Sequence, residues 1–420
     1  MDNTDIKPVT SAFAYREIYE RYVDDASFLW ILRSIAVGQP HHTTEEIVEL
    51  EQRIDAHISG LMTSVELGWQ ACEKALTLEE PGEVFTATVI AVRNHDMVKI
   101  QKAVEVGLSN PRATEGLISA FGWLPTNLAR PWIEKFIASK DMNHKYLGIA
   151  ACSVRREDPG VSLATLLNRE DCQQHSSLYA RALRLIGELR RQDLMPNLQA
   201  AQTSDNTDVL FWSAWSAILL GDESVVNKLQ SFVFNTGPHQ FRATQIALRV
   251  LPVETAREWI SILAKNDTQV RTVIQATGVL GDPHAVNWLI GKMAEPKLAR
   301  LAGEAFTQIT GVDFAQHSLI DAEPENQTQF PGENTADEDV GLDEDENLPW
   351  PDVAKITALW SNQGQHFLVG QRYFLGKPIT ADWLKQKLAT GTQRQRHAAA
   401  LELALLGETP LINTRARMPA

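Results

Sequence analysis

His41 and His42 stand side by side after Pro40, and imidazole is the commonest protein ligand for a transition metal. A metal site needs further ligands at a workable spacing, and no third is visible around this pair. A solvent-exposed turn ahead of a helix accounts for it. Cys72, Cys152 and Cys172 are isolated, with no C-x-x-C pair and no regular disulfide framework. Cys152, inside GIAACSV, reads as a small core residue. The run DEDEN at 343–347 has the carboxylates of a calcium loop, but its glycine and terminal glutamate are not in register. The sequence holds no phosphate-binding, dinucleotide-binding, zinc-protease or nucleophile-elbow motif. No two carboxylates stand out as an acid–base couple. The expectation is therefore a protein that is not an enzyme, with no catalytic, cofactor-binding or metal-binding residue assigned.

Binding is the chemistry that remains, and two stretches offer it. Phe211, Trp212 and Trp215 crowd one segment, FWSAW. Core filling suits most aromatics of this chain. Here the density leads us to expect one ring facing outward, and tryptophan is enriched where proteins bind proteins. The second stretch is acidic. Between Ser318 and Val353 there are twelve Asp or Glu and no Lys or Arg, whereas from Val353 onward nine Lys or Arg face three Asp or Glu. Asp337, Glu338, Asp339, Asp343, Glu344, Asp345 and Glu346 are the candidate contact residues. The segment is polar and proline-interrupted, which is the composition of a solvated linker. Its charge leads us to expect it to fold back on the basic residues that follow. The chain as a whole carries −14, and no basic stripe for nucleic acid is evident.

The elements that would position these residues are helices. In Thr268–Gly311, Val270, Val273, Ile274 and Thr277 mark one helical face. Gly281 is placed to end that helix in the left-handed conformation. Asp282 then caps the next helix, with Pro283 at its first position. Val286, Leu289, Ile290 and Met293 continue the pattern, and Leu298, Leu301, Ala302, Ala305 and Ile309 repeat it. Comparable turns fall at Arg93–Asp96, Leu124–Asn127, Arg156–Pro159, Arg191–Leu194, Gly221–Ser224, Pro252–Thr255 and Gly311–Phe314. A period of roughly 30 to 34 residues marks a helical solenoid. GVLGDPHAVNWL resembles a HEAT-like repeat, although Pro252–Thr255 lacks both the Gly and the Asp.

The expected fold is all-α: a HEAT-like helical-repeat solenoid with N- and C-terminal helical caps. Residues 1–81 form the N-terminal cap, with a helix over Asp24–Val37 whose acidic residues lie near its N-terminal end. A second helix, within Thr43–Leu61, starts with a capping signature and carries Ile47, Leu50, Ile54, Ile58 and Leu61. Residues 82–317 form the repeat array, 318–350 the acidic linker and 351–420 the C-terminal cap. In that cap Phe374–Pro378 is a turn, Thr380 caps a helix and Arg394–Leu406 is the last helix. No apolar run approaches the roughly 20 residues that cross a bilayer, and no signal pattern opens the chain. The expected location is the cytoplasm, away from membranes and nucleic acid.

The chain resembles a bacterial family of HEAT-repeat proteins often encoded within type VI secretion gene clusters. The resemblance is carried by GVLGDPHAVNWLIGKM, AGEAFTQITGVDF, LPWPD, GQRYFLGKPITADWL and GTQRQRHAAALELALL, mostly in the final third. It brings no functional residue with it. It implies a protein partner, either a secreted toxin or effector or the delivery spike. An immunity protein that neutralises a cognate toxin is the leading expectation. An adaptor or chaperone that loads an effector onto the spike is the alternative, and a HEAT-like lyase a third.

Overall fold

The computed structural model describes residues 11–322 and 345–418. Among them are 22 α-helices and a single pair of two-residue strands, so the fold is all-α. None of these helices is long and apolar enough to cross a membrane. The chain divides into two compact units, one of residues 11–38, 42–197 and 412–418, the other of 39–41, 198–322 and 345–411.

The first unit opens with α1 (Ser11–Ala36), which begins well before the expected Asp24. Tyr19, Val23, Ala26 and Trp30 are buried at helical spacing, so the apolar stripe runs upstream through Asp24 and Asp25. Those two carboxylates therefore lie mid-helix, not at its positive end. In α2 (Thr44–Met62) the capping box is complete. Thr43 Oγ1 accepts the Glu46 N–H at 3.3 Å, and the Thr43 N–H donates to Glu46 Oε2 at 2.8 Å. Then come α3 (Val65–Ala75) and the pairs α4 (Pro81–Arg93) with α5 (Met97–Gly107), α6 (Pro111–Trp123) with α7 (Thr126–Ala138), and α8 (Met142–Arg155) with α9 (Val161–Leu167). A short α10 (Glu170–Gln174) leads to α11 (Ser176–Leu189), and the division between the units falls within α12 (Met195–Ala201). The first helix of each pair packs on the first helix of the next, α4 on α6, α6 on α8 and α8 on α11. That stacking buries a continuous core no single pair could make.

The second unit repeats the scheme. α13 (Thr207–Leu219) is followed by a 3-10 stretch and α14 (Gln230–Phe234). α15 (Gln240–Val250) pairs with α16 (Val253–Leu263), and α17 (Val270–Leu280) with α18 (Val286–Lys292). α19 (Pro296–Thr310) opens a further repeat. Among the described residues no α-helix follows its turn directly, and the next one described is α20 (Val353–Gln363). Ile356 of α20 is buried in one cluster with Leu289, Leu301, Ile309 and Phe314. α20 thus completes the repeat that α19 begins, and the acidic stretch interrupts that repeat. The strands β1 (Tyr373–Phe374) and β2 (Lys377–Pro378) and the helices α21 (Ala381–Thr390) and α22 (Gln393–Leu405) complete the unit.

Two chemistries turn the chain between paired helices. Six turns contain a residue with positive φ: His95, Arg156, Arg190, Gly221, Gly281 and Gly311. The other two leave the helix at Leu124 and Leu251 in extended conformation, each followed by proline. Proline disfavours helical backbone in the residue before it, so Leu-Pro stops a helix without a glycine. This is why Pro252–Thr255 serves as a repeat turn although it lacks the Gly-Asp pattern.

Three late stretches of the sequence, GVLGDPHAVNWLIGKM, AGEAFTQITGVDF and GTQRQRHAAALELALL, meet GQRYFLGKPITADWL around β1 and β2. The Tyr373 N–H donates to the Gly281 carbonyl at 2.8 Å, Leu375 N–H to Gln308 at 2.7 Å and Gly376 N–H to Ile309 at 3.0 Å. Leu375 and Gly376 both have positive φ, 50° and 82°, as a two-residue hairpin turn requires. Asp282 caps the 3-10 turn before α18, accepts the Gly370 N–H at 3.0 Å and binds Arg257 Nε at 2.6 Å. Arg372 donates to the carbonyls of Leu280 at 3.1 Å and Arg249 at 2.8 Å, and pairs with Glu402 of α22. Two repeat turns and the last helix are locked to one hairpin.

Candidate functional site

The aromatic stretch lies on α13, started by Asn206, whose side chain accepts the Asp208 and Val209 N–H groups at 3.1 Å each. Phe211 is 0% exposed and Trp215 6%, so both are core residues, contrary to their expected role in a contact surface. The physical reason is that α13 is buried almost all round, from Ser213 through Leu219 as well as at Val209 and Phe211. Phe211 stacks on His239 at 4.1 Å and meets Phe232 edge-on at 5.3 Å. Trp212 is half-buried, edge-on to Phe211 at 4.9 Å, with the Arg242 guanidinium 5.9 Å from its ring centre. His239 Nε2 lies 2.6 Å from Asp208 Oδ1. Of the three, Trp212 alone retains a surface.

The acidic segment is tied at its base. Ile320 and Pro351 form an antiparallel bridge, the Asp321 N–H donates to the Trp350 carbonyl at 2.9 Å, and the Asp352 N–H to Leu319 at 2.8 Å. The stretch expected as a linker between modules leaves the array and returns to it at one point. Trp350 lies against Arg300, whose guanidinium carbon is 4.7 Å from the ring centre. Asp345 is 4% exposed and forms an ion pair with Arg271 at 2.8 Å, so it is an anchor and not a contact residue. Glu346 is exposed, and its carbonyl accepts from Arg300 at 3.2 Å. The described end of the segment is therefore held by α17 and α19. Asp337, Glu338, Asp339, Asp343 and Glu344 lie outside the described residues.

Three further features escaped the sequence reading. Glu188, fully buried on α11, is ringed by Ser153, Arg184 at 2.7 Å and Arg156 at 3.2 Å. Burial pushes its carboxyl up, but Arg184, Arg156 and Arg181 with the Ser153 hydroxyl outweigh that and hold it below the usual range. A groove of about 470 Å³ runs along α7–α9, lined by Ile133, Ile137, Cys152, Ser162 and Arg169 among others. Burial, with Glu157 and Asp158 nearby, pushes the Cys152 thiol up to about 12, which removes it as a nucleophile. The third feature is the stretch 412–418, which lies across α1, α2, α6 and α8. The Arg-x-Arg spacing at Arg415 and Arg417 was its signal in the sequence.

Among the described residues, no group of three or more His, Cys, Asp or Glu is arranged to hold a metal ion. His42 Nδ1 is 3.5 Å from Glu46 Oε2, a neighbour on its own turn. The fold and these surfaces define the class: an all-helical protein of stacked helix pairs, a helical-repeat architecture. Compared with protein-family models, with curated proteins and with solved structures, the chain matches none.

Proposed function

We propose that this chain is a protein-binding helical-repeat scaffold that neutralises a basic toxin made by the same cell, as the immunity partner of a secreted effector. The observation that carries the reading is the stapled base of the acidic segment. Its carboxylate-rich sequence departs from and returns to one point on a packed array. A concentration of negative charge at a defined place suits a positively charged protein partner, because complementary charge speeds encounter and suppresses wrong partners. The resemblance of GQRYFLGKPITADWL and the other late motifs to proteins of type VI secretion clusters supplies the context, and the cytoplasm is where such a partner would be met.

The test is a pull-down with the tagged protein from its native cell lysate, followed by a toxicity-rescue assay with the captured protein. Capture of a basic toxin domain, weakened several-fold between low and physiological salt, together with rescue, is the expected result. Capture of an effector together with spike components, without rescue, would assign the loading role instead. Capture of a partner that is indifferent to salt would overturn the electrostatic argument.

A further inference from the structure

We infer that the surface across α1, α2, α6 and α8 is a peptide-binding site for an arginine-bearing segment of a partner protein, and that residues 412–418 occupy it as a ligand would. This deepens the protein-binding reading and rests on it, but not on the secretion context.

The contacts are of the two kinds that peptide recognition combines. One kind reads main chain. Arg33 Nη2 donates to the Arg415 carbonyl at 3.0 Å, and the Met418 N–H donates to Glu51 Oε2 at 3.0 Å. Neither contact depends on the side chain at 415 or 418. The other kind reads one side chain. The Arg417 guanidinium sits 4.5 Å from the Trp123 ring centre, pairs with Asp55 Oδ2 and donates to the Trp123 carbonyl at 3.3 Å. A planar guanidinium can stack and bond in its own plane at once, which an ammonium cannot. The segment itself is shaped by Asn413. Its Oδ1 accepts the Arg415 N–H at 3.1 Å, its carbonyl accepts the Ala416 N–H at 3.1 Å, and its Nδ2 donates to the Val154 carbonyl at 2.7 Å.

The receiving side chains are held without help from the tail. Arg33 donates to Glu51 Oε1 through Nε at 2.9 Å and Nη2 at 2.6 Å, both groups being buried. Trp123 Nε1 donates to Asp55 Oδ1 at 3.2 Å, and the ring meets Phe85 edge-on at 5.4 Å. Arg93 lies 3.4 Å from the same Asp55 oxygen. Such preorganisation lowers the ordering cost of a binder. The tail brings little apolar anchorage of its own: Ile412 is exposed, and Met418 is half-buried against Ala36, Val37 and Ile47. Its hold is polar and gains from being tethered, since a linked segment acts at an effective concentration on the order of millimolar. A free segment of the same chemistry should enter once that tether or the cis arginine is removed.

The experiment places a protease site between Leu411 and Ile412 of the full chain, cut after folding. A fluorescein-labelled peptide of sequence INTRARM then serves as probe in fluorescence anisotropy. The cut chain should bind the probe at least tenfold more tightly than the uncut chain. Asp55→Asn should weaken that binding at least tenfold, as should a probe with lysine at the position of Arg417. An Arg417→Ala chain, left uncut, should also gain probe binding. Loss of helical circular dichroism on cutting, or a folded cut chain that takes up no probe, would overturn the proposal and leave the tail a fixed strap. Probe exchange with no captured toxin would refute the immunity reading alone, and a captured toxin with no exchange would refute the peptide site alone.

Discussion

Gly281→Ala tests whether the hairpin lock described above matters to the fold. Gly281 ends α17 with φ +73°, and a Cβ built there would lie 2.2 Å from the Tyr373 carbonyl oxygen. Gly221 supplies the control. It has φ +94° at the equivalent turn after α13, and nothing lies within 4 Å of its Cβ position. Alanine at either site meets the left-handed penalty of about 1–2 kcal/mol. At Gly281 alone the hairpin must also move, because the obstructing atom is backbone. That loses the Tyr373 N–H to Gly281 bond and strains its neighbours at Gln308 and Ile309, which adds about 1–3 kcal/mol. The difference corresponds to roughly 5- to 150-fold in an opening equilibrium. Hydrogen exchange of a peptide covering residues 371–380, read by mass spectrometry, should accelerate by that factor in Gly281→Ala relative to Gly221→Ala. Equal exchange in the two variants would refute the claim that the hairpin is held by the repeat turns.

Four further outcomes follow from the same contacts. Glu188→Gln should cost about 3–5 kcal/mol in urea unfolding at pH 7, because it strands Arg184 and Arg156. With its pKa held below the ordinary 4.5, Glu188 releases its proton more readily folded than unfolded, so wild-type stability should fall as pH drops below that value, and more gently in the variant. Burial pushes the Cys72 thiol up to about 12, and Cys152 and Cys172 are likewise raised, so a thiol reagent at pH 8 should label none of them until urea unfolds the chain. Phe211→Ala should cost about 3–5 kcal/mol through a core cavity, whereas Trp212→Ala should cost less and is the variant in which a loss of partner capture is interpretable. Replacing residues 323–344 by a short Gly-Ser bridge leaves the base contacts intact, so stability should change by less than about 1 kcal/mol while salt-sensitive partner capture is lost.

What was legible in the sequence was whatever local chemistry dictates. Gly281, Asp282 and Thr43 do what their types and neighbours demand, because a left-handed cap, an Asx cap and a capping box each involve only a few consecutive residues. The repeat period followed from such local signals. His95, Arg156 and Arg190 gave no comparable sign, since residues with a Cβ adopt positive φ only where tertiary packing repays the strain. Asp345 looked like one more solvated carboxylate because its partner, Arg271, is 74 positions away. The partners of the stretch 412–418 were hidden for the same reason, with Arg417 and Asp55 separated by 362 positions. Phe211 and Trp215 misled in the other direction: aromatic density alone cannot separate a contact patch from a helix enclosed on all sides.

The distribution of the specific motifs has its own logic. A repeat array is closed by its last helix pair, and here that pair is split by the acidic excursion between Ile320 and Pro351. The open end left at Gly311 must be covered by something other than the next residues in the chain. α20 supplies the missing helix, LPWPD closes the excursion against Arg300, and the GQRYFLG hairpin bonds to the turns at Gly281 and next to Gly311. The sequence signatures of the final third are therefore the parts that make an interrupted repeat stable. A chain under no demand to carry the excursion could close its last repeat with an ordinary turn, as it does after α15 and α17. Buried Asp345, paired with Arg271, and Trp350, lying against Arg300, hold the returning end of that stretch. Those anchors are the physical reason to test the proposed partner binding first at the excursion itself.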